Sequence, residues 1–219
     1  MNSVDFDFCG ATLTALPSGA LLWAKPKLLV VSDLHLGKSE RIARRGGALL
    51  PPYETRDTLD RLSADVDALQ PACVLCLGDS FDDLAAGQSL QADEIDQIRR
   101  LQAGRRWLWL EGNHDPGPLD LGGEHLAEWT SGALTFRHIA TTESAAGEIS
   151  GHYHPKAKVR MTSRPCFMCD GARLILPAYG RYTGGLDWMT PVLRGLFADT
   201  AVAYLTGPRV VTVPVPKAA

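Results

Sequence analysis

Apolar residues in this chain follow two rhythms. Between residues 27 and 110, unbroken apolar runs of strand length alternate with stretches whose apolar positions recur at helical spacing. Lys27-Leu-Leu-Val-Val-Ser-Asp33 is nearly all apolar and ends in a carboxylate, the pattern of a buried central strand delivering a functional group at its C-terminal end. After the breaker Pro51-Pro52, Leu59, Leu62, Val66 and Leu69 predict a helix that Pro71 closes, and Ala72 to Leu77 reads as the next strand. Leu90, Ile95, Ile98 and Leu101 mark another amphipathic stretch before the strand Trp107 to Leu110. The order is β-α-β-α-β. Ahead of it, Phe6 to Trp23 reads as short strands broken at Gly10 and at Pro17-Ser18-Gly19, where turn chemistry suits a hairpin that extends or covers a sheet edge.

From Leu134 onward the rhythm shortens. Strands are predicted at Leu134 to His138, Glu148 to Ser150, Lys158 to Met161, Pro165 to Asp170, Arg173 to Leu176, Val202 to Leu205 and Val210 to Val213. An α/β half followed by a β-rich half predicts two sheets packed face to face with helices outside, so that motifs at strand ends meet at one rim. A chain of 219 residues makes one large α/β domain, and a single domain over 1–219 is expected.

Composition narrows the function classes. Hydrophobic residues make up 45% and charged residues 21%, as in ordinary globular proteins, so the chain should fold. With 22 Lys+Arg against 25 Asp+Glu there is no global basic field, and any contact with nucleic acid must be local. The N-terminus lacks the basic and apolar regions of a signal peptide and no run approaches a membrane span, so a cytoplasmic protein without a membrane partner is expected. Cys73/Cys76 and Cys166/Cys169 have a spacing that invites a zinc reading. Both pairs sit in extended runs, where positions i and i+3 point to opposite faces, so buried small hydrophobes are the better reading.

Five elements carry the candidate chemistry: Asp33-Leu-His35, Gly78-Asp79, Gly112-Asn113-His114-Asp115, His138, and Gly151-His152-Tyr153-His154. The first three each follow an apolar strand-like run, His138 ends a fourth and the last follows Glu148 to Ser150. Carboxylate, amide and imidazole donors together suit divalent manganese, iron or zinc. In a two-metal site a bridging carboxylate holds the ions about 3.5–4 Å apart and a bridging hydroxide forms near neutral pH. His125 competes with His138 as the isolated histidine. It lies in the polar, helix-like stretch around Gly123-Glu-His-Leu-Ala and reads as a surface residue, whereas His138 terminates a strand as the other donors do.

In this order the five elements resemble the calcineurin-like metallophosphoesterase superfamily. That resemblance implies a four-layer αββα sandwich of two mixed β-sheets flanked by helices, with a dinuclear centre at one rim. It implies that Asp33, His35, Asp79 and His154 bind one ion and that Asp79, Asn113, His138 and His152 bind the other, with Asp79 as the bridge. His114 would act on the leaving oxygen as general acid. The run Gly78-Asp79-Ser80-Phe81-Asp82-Asp83 departs from the family's usual pattern, leaving Asp82 at most an orienting role.

Asp33-Leu-His35-Leu-Gly-Lys38 with its basic helix start, Gly151-His-Tyr-His-Pro155 and the run Leu176 to Asp187 are similar to the ligase-associated DNA-damage-response phosphoesterases (the PdeM family). This narrower resemblance implies a DNA endonuclease with two divalent ions, foremost manganese, linked to repair and to a DNA ligase or helicase. A phosphatase or cyclic-nucleotide phosphodiesterase is the alternative, and an inactive binding scaffold a third reading. Lys38, Arg41 and Arg45, with Arg44, form a basic run just after the first motif; such runs are usually a solvated helix face, but here they are candidates for substrate phosphates. Lys156, Lys158, Arg160 and Arg164 are a second strip. Tyr179 and Tyr182 near Gly184-Gly185 read as packing elements.

Overall fold

A computed structural model describes residues 2–47, 50–142, 146–159 and 161–217. Seven strands make the first sheet in sequence order: β1 (Val4–Phe8), β2 (Ala11–Ala15), β3 (Leu21–Trp23), β4 (Leu28–Val31), β5 (Cys73–Cys76), β6 (Arg106–Leu110) and β7 (Glu124–Leu126). β1 to β4 pair antiparallel, as the turn residues at Gly10 and Pro17-Ser18-Gly19 predict; β4 to β7 are parallel. The connections between parallel strands carry the helices α1 (Lys38–Arg44), α2 (Glu54–Leu69), α3 (Leu84–Gln88) and α4 (Ala92–Gln102).

The second sheet is built from β8 (Glu128–Ser131), β9 (Leu134–Arg137), β10 (Glu148–Ser150), β11 (Lys156–Val159), β12 (Thr162–Cys169), β13 (Arg173–Ile175), β14 (Val202–Leu205) and β15 (Val211–Pro214). Its order is β15-β14-β12-β13-β10-β9-β8, with β11 paired to β12. It too is mixed, since β9, β10 and β13 run parallel and the other pairs antiparallel. The helix α5 (Pro191–Arg194) lies between β13 and β14 in sequence.

Three apolar layers hold these parts together. The central one joins the facing sides of both sheets, with Val30, Leu75 and Leu108 of the first against Phe136, Ile149, Phe167 and Leu174 of the second. The outer face of the first sheet packs Leu29, Val74 and Trp109 against Leu59, Leu62 and Val66 of α2 and Ile98 and Leu101 of α4. The outer face of the second packs Met168, Ile175 and Ala203 against Leu193, Trp188 and Phe197. The fold is therefore the expected sandwich of two mixed sheets, with the outer layer on the second sheet reduced to one short helix and its flanking loops.

The cysteine pairs behave as strand residues. Cys73 packs against the central core and Cys76 belongs to the α2/α4 side; Cys169 faces the central core and Cys166 the α5 side. All five thiols are free, and burial pushes those of Cys166 and Cys169 up to about 12, so neither pair presents thiolates to one ion.

Three expectations change. The helix-like stretch around His125 is the strand β7, a three-residue run too short to register as alternation, and its pairing to β6 sets it at the sheet edge. His125 is half-buried there with its ring stacked on Trp109 rather than lying free on the surface. The strands expected at Lys158 to Met161 and Pro165 to Asp170 begin earlier, at Lys156 and Thr162, and pair with each other as a hairpin. Proline normally signals a strand start or edge, yet Pro165 lies inside β12 opposite Lys156.

Leu75, fully buried in the central core, tests this architecture. Leu75→Ala should lower unfolding free energy by about 2–5 kcal/mol, measured by urea denaturation, because the cavity lies between two sheets that cannot both collapse into it.

Candidate metal centre

The strand ends bring five loops to one rim. Val31, Cys76 and Trp109 are aligned across β4, β5 and β6, and the segments holding Asp33, Asp79 and Asn113 follow them directly. On the second sheet, β9 and β10 run parallel and are followed by His138 and by Gly151 to His154. Beyond their strands the first two loops go on pairing. Asp33 N–H donates to Gly78 O (3.2 Å), His35 N–H to Asp79 O (2.9 Å), and Asp82 N–H to Leu36 O (3.0 Å).

This pairing imposes an unusual backbone. Asp33 (φ 55°), His35 (46°), Asp79 (46°), His152 (67°) and His154 (45°) are all left-handed, five of the nine non-glycine residues with positive φ among those described. Each such residue costs of order 1–3 kcal/mol and persists only where its surroundings over-determine it. Asp115 supplies much of that constraint. Its buried carboxylate accepts backbone N–H bonds from Asp79 (3.0 Å), Ser80 (2.8 Å), Phe81 (3.1 Å) and Gly112 (3.1 Å), tying the second loop to the third. Two glycines permit the approach: a side chain at Gly112 would strike the Asp79 amide, and one at Gly151 would strike Ser32 Oγ. Behind His35, Glu54 and Thr55 of α2 accept the N–H groups of Ser39 and Gly37 and so fix the start of α1.

The expected donors form two adjoining groups, and a third set of potential ligands, His35, Asp82 and His114, shares His35 with the first. Asp33, His35 and His154 each bring one ligand-type atom within 4.8 Å of the others, and so do Asp79, His138 and His152. In the first group His154 Nε2 lies 2.9 Å from Asp33 Oδ1, yet neither atom makes a hydrogen bond of good geometry; nor does His35 Nε2. These three buried polar atoms lack partners and converge, as donors do that share an ion rather than bond to one another. In the second group His138 Nε2 lies 3.3 Å from Asp79 Oδ2, 3.0 Å from Asn113 Oδ1 and 3.3 Å from His152 Nδ1. The groups adjoin, with His138 Nδ1 4.0 Å from Asp33 Oδ1.

Supporting contacts set which nitrogen faces the pocket. His138 Nδ1 lies 2.8 Å from Leu77 O, so Nδ1–H donates there and Nε2 is directed into the pocket. His35 Nδ1 sits 2.9 Å from Asp82 Oδ1 without the alignment of a hydrogen bond, so both ring nitrogens of His35 lack a partner. His114 Nδ1 lies 2.8 Å from Asp82 O, while its half-exposed ring turns Nε2 towards the pocket, 4.0 Å from Asp79 Oδ2. Asp79 Oδ1 accepts the His114 backbone N–H (2.9 Å), and Asp33 Oδ2 accepts Ser32 Oγ–H and the His152 N–H (3.0 Å).

The charges describe a pocket made for a cation. Burial alone would raise Asp33, but His154, His138 and Ser32 outweigh it and hold its carboxyl at about 2. Burial would lower His138, yet Asp79 and Asp33 raise it to about 9. The field that keeps a proton on His138 is the field a divalent ion in the same pocket would experience. Burial and the His138 charge push His152 down, favouring its neutral, ligand-competent form. Asp115 is raised to about 6, first by burial and then by the Asp79 charge, against its backbone donors.

Every candidate donor named from the sequence thus lies in one cluster, with His114 at its edge. The basic run does not stand free. Lys38 and Arg41 contact Asp82 at 3.4 and 2.7 Å, and Arg44 and Arg45 reach Asp83 at 2.8 and 3.5 Å. His35, Arg41 and Lys38 together outweigh the burial of Asp82 and hold its carboxyl below the usual range. Asp115, Glu54 and the Leu77 carbonyl were not assigned from the sequence. A carboxylate three residues after a glycine is a signal of a loop clamp, but its partners lie more than thirty positions away, as Ser80 does. Arg160 of the second basic strip lies outside the described residues, and Tyr179 is packed in the core with its hydroxyl on Asp65 (2.9 Å).

Comparison with known proteins agrees with this geometry. Residues 26–168, more than half of the chain, match the family model of the calcineurin-like phosphoesterases. The crystal structure of the Pseudomonas putida nuclease MPE is similar over 96% of this chain and 100% of that one, with a TM-score of 0.75 and 25% sequence identity. No curated protein matches in sequence.

Gly151→Ala should leave a folded protein with weakened metal binding, by at least about ten-fold, because the added methyl displaces Ser32 and with it the Asp33 carboxylate. Isothermal titration with manganese, alongside a melting curve, measures both.

Proposed function

The chain belongs to the calcineurin-like phosphoesterase family, and from that premise we propose that it is a nuclease that hydrolyses phosphodiester bonds with two divalent cations. The observation that carries this reading is the convergence of Asp33 Oδ1, His35 Nε2 and His154 Nε2, buried and unpartnered, beside the Asp79, His138 and His152 cluster. We assign Asp33, His35, Asp79 and His154 to one ion and Asp79, Asn113, His138 and His152 to the other. The donor set mixes carboxylate, amide and imidazole, which fits manganese, iron or zinc. Such ions supply Lewis acidity toward phosphoryl oxygens and lower the pKa of water.

The chain's own residues do the rest. Leu77 O holds Nδ1 of the His138 ring and the Asp82 carboxylate stands 2.9 Å from Nδ1 of His35, so each ring has its other nitrogen turned away from these contacts. Asp115 keeps the Asp79 and Asn113 loops in register. His114, held through Nδ1 by the Asp82 carbonyl, directs Nε2 to the mouth of the pocket. There it donates a proton or hydrogen bond to the leaving oxygen as a water oxygen bonds to phosphorus and the ester bond breaks. A groove of about 320 Å³ beside Asn113, Arg137 and His138 gives a phosphate ester access.

The resemblance to the DNA-damage-response phosphoesterases and the likeness to a nuclease support nucleic acid, and DNA in particular, as the substrate. A repair role and a ligase or helicase partner follow from the former alone. The whole chain would act as one domain, since the central core is shared by both sheets. Among the described residues no helix is long and apolar enough to cross a membrane.

His114→Ala should lose about 10²-fold or more in kcat while keeping two metal equivalents; equal loss of metal would make it a ligand instead. Asp79→Asn should lose both ions, read by plasma mass spectrometry of the dialysed protein, and full activity in that variant would end its bridging role. With manganese added, an oligonucleotide should be cut faster than p-nitrophenyl phosphate or a cyclic nucleotide. The reverse order would assign a small-molecule esterase, and metal without hydrolysis a binding scaffold.

A further inference from the structure

Two clusters of cations flank the metal rim, and they differ in one respect. Lys38, Arg41, Arg44 and Arg45 are each engaged by Asp82 or Asp83. The second cluster lines a cleft of about 280 Å³ bounded by the Pro17-Ser18-Gly19 turn, Pro177 to Thr183 and Thr206-Gly207, and contains Arg61, Lys156 and Arg181. Among the described residues Arg61 and Lys156 form no ion pair, and Arg181 has only an exposed contact to Asp57 at 3.9 Å. The nearby Asp65 is occupied by the Tyr179 hydroxyl. The Arg61 guanidinium sits over the Tyr179 ring, 4.2 Å from its centroid, and Lys156 Nζ donates to Thr183 O at 3.1 Å, so neither cation swings freely.

The cleft lies at the same end of the sandwich as the metal centre. Leu21 pairs with Val30, which puts the Pro17-Ser18-Gly19 turn beside the point where β4 delivers Asp33. Ile175 pairs with Ser150, so Pro177 to Arg181 leaves β13 alongside Gly151 to His154. Tyr179 N–H donates to Ser32 O (2.7 Å) and Gly180 N–H to Asp33 O (3.0 Å), which makes one wall of the cleft the back of the Asp33 loop. Lys156 stands two residues beyond His154.

We propose that this cleft is a phosphate-binding subsite, in which Arg61, Lys156 and Arg181 hold a non-scissile phosphate of the nucleic-acid strand cut at the metal centre. The proposal rests on the nuclease reading for its ligand. Arg61 leaves Nε and Nη2 without a hydrogen-bond partner and Arg181 has only its exposed contact to Asp57, so the three cations keep donors for an external anion, and an arginine held over an aromatic ring presents its fork to phosphate with little entropy to lose. Successive strand phosphates give a chain long enough to occupy both places, whereas a small ester fills only one. The subsite would set which way the strand runs through the centre.

The test uses Lys156→Ala/Arg181→Ala, both away from the core, and Arg61→Lys, which keeps the charge but loses the planar fork. Binding of a fluorescent single-stranded oligonucleotide, followed by anisotropy at several salt concentrations, should weaken about ten-fold in the double variant, with the log–log salt slope reduced by about one. The ratio of oligonucleotide to bis(p-nitrophenyl) phosphate activity should fall by a similar factor. Arg61→Lys should lower the same ratio by a smaller amount. If the wild type cuts oligonucleotides and the double variant cuts and binds them equally well, the subsite is overturned and the nuclease reading stands. If the wild type cuts only the small diester, the nuclease reading falls; inorganic phosphate titrated into the metal-stripped proteins then decides the cleft. Equal phosphate affinity in wild type and double variant overturns it, and weaker affinity in the variant keeps it as a site for a free or terminal phosphate.

Discussion

The structure depends on holding the buried Asp33 carboxylate beside the His35 and His154 imidazoles without letting them satisfy one another. Left alone, Asp33 and His154 would close into a hydrogen bond and collapse the pocket. Their backbones prevent it: both are left-handed, and Asp33 is fastened through Oδ2 to Ser32 and the His152 amide, which leaves Oδ1 aimed inward. Strain at five donor positions is offset by contacts outside the pocket, chiefly the four amides gathered by Asp115 and the continued pairing of the first two loops. Site and fold are stabilised by the same hydrogen bonds.

That arrangement explains why donors come from the ends of strands in both sheets. A parallel strand buried on both faces has no freedom to twist away, so the residue one or two positions beyond its end is fixed as firmly as the strand itself. Two such sheets packed face to face bring two sets of ends to one edge, and a donor from each sheet can meet across the central core. His138 and Asp79 do so, with the His138 ring hydrogen-bonded to the β5–Asp79 segment at Leu77 O. The sandwich is needed less for bulk than for this meeting.

Much of this was legible in the sequence because it is encoded locally. Lys27 to Asp33, Ala72 to Leu77 and Trp107 to Leu110 are long apolar runs followed at once by donor residues, and their strands formed where the pattern puts them. The two Cys-x-x-Cys pairs were readable as strand residues for the same reason. What was hidden depends on partners distant in the chain. The strand at His125 exists only because β6 offers an edge, and its three residues carry no periodicity. The basic run after His35 looks like a free cationic face in one dimension, while Asp82 and Asp83, some forty positions later, engage its side chains. Conversely, Arg61, Lys156 and Arg181 are scattered through the chain and become neighbours only at the rim.

The direct measurement is a crystal structure of the manganese-loaded protein with anomalous data collected near the metal edge. The account predicts two anomalous peaks about 3.5–4 Å apart, one beside Asp33, His35 and His154 and the other beside Asn113, His138 and His152, with Asp79 between them. A single peak, or manganese seated away from these residues while their side chains close into mutual hydrogen bonds, would contradict it.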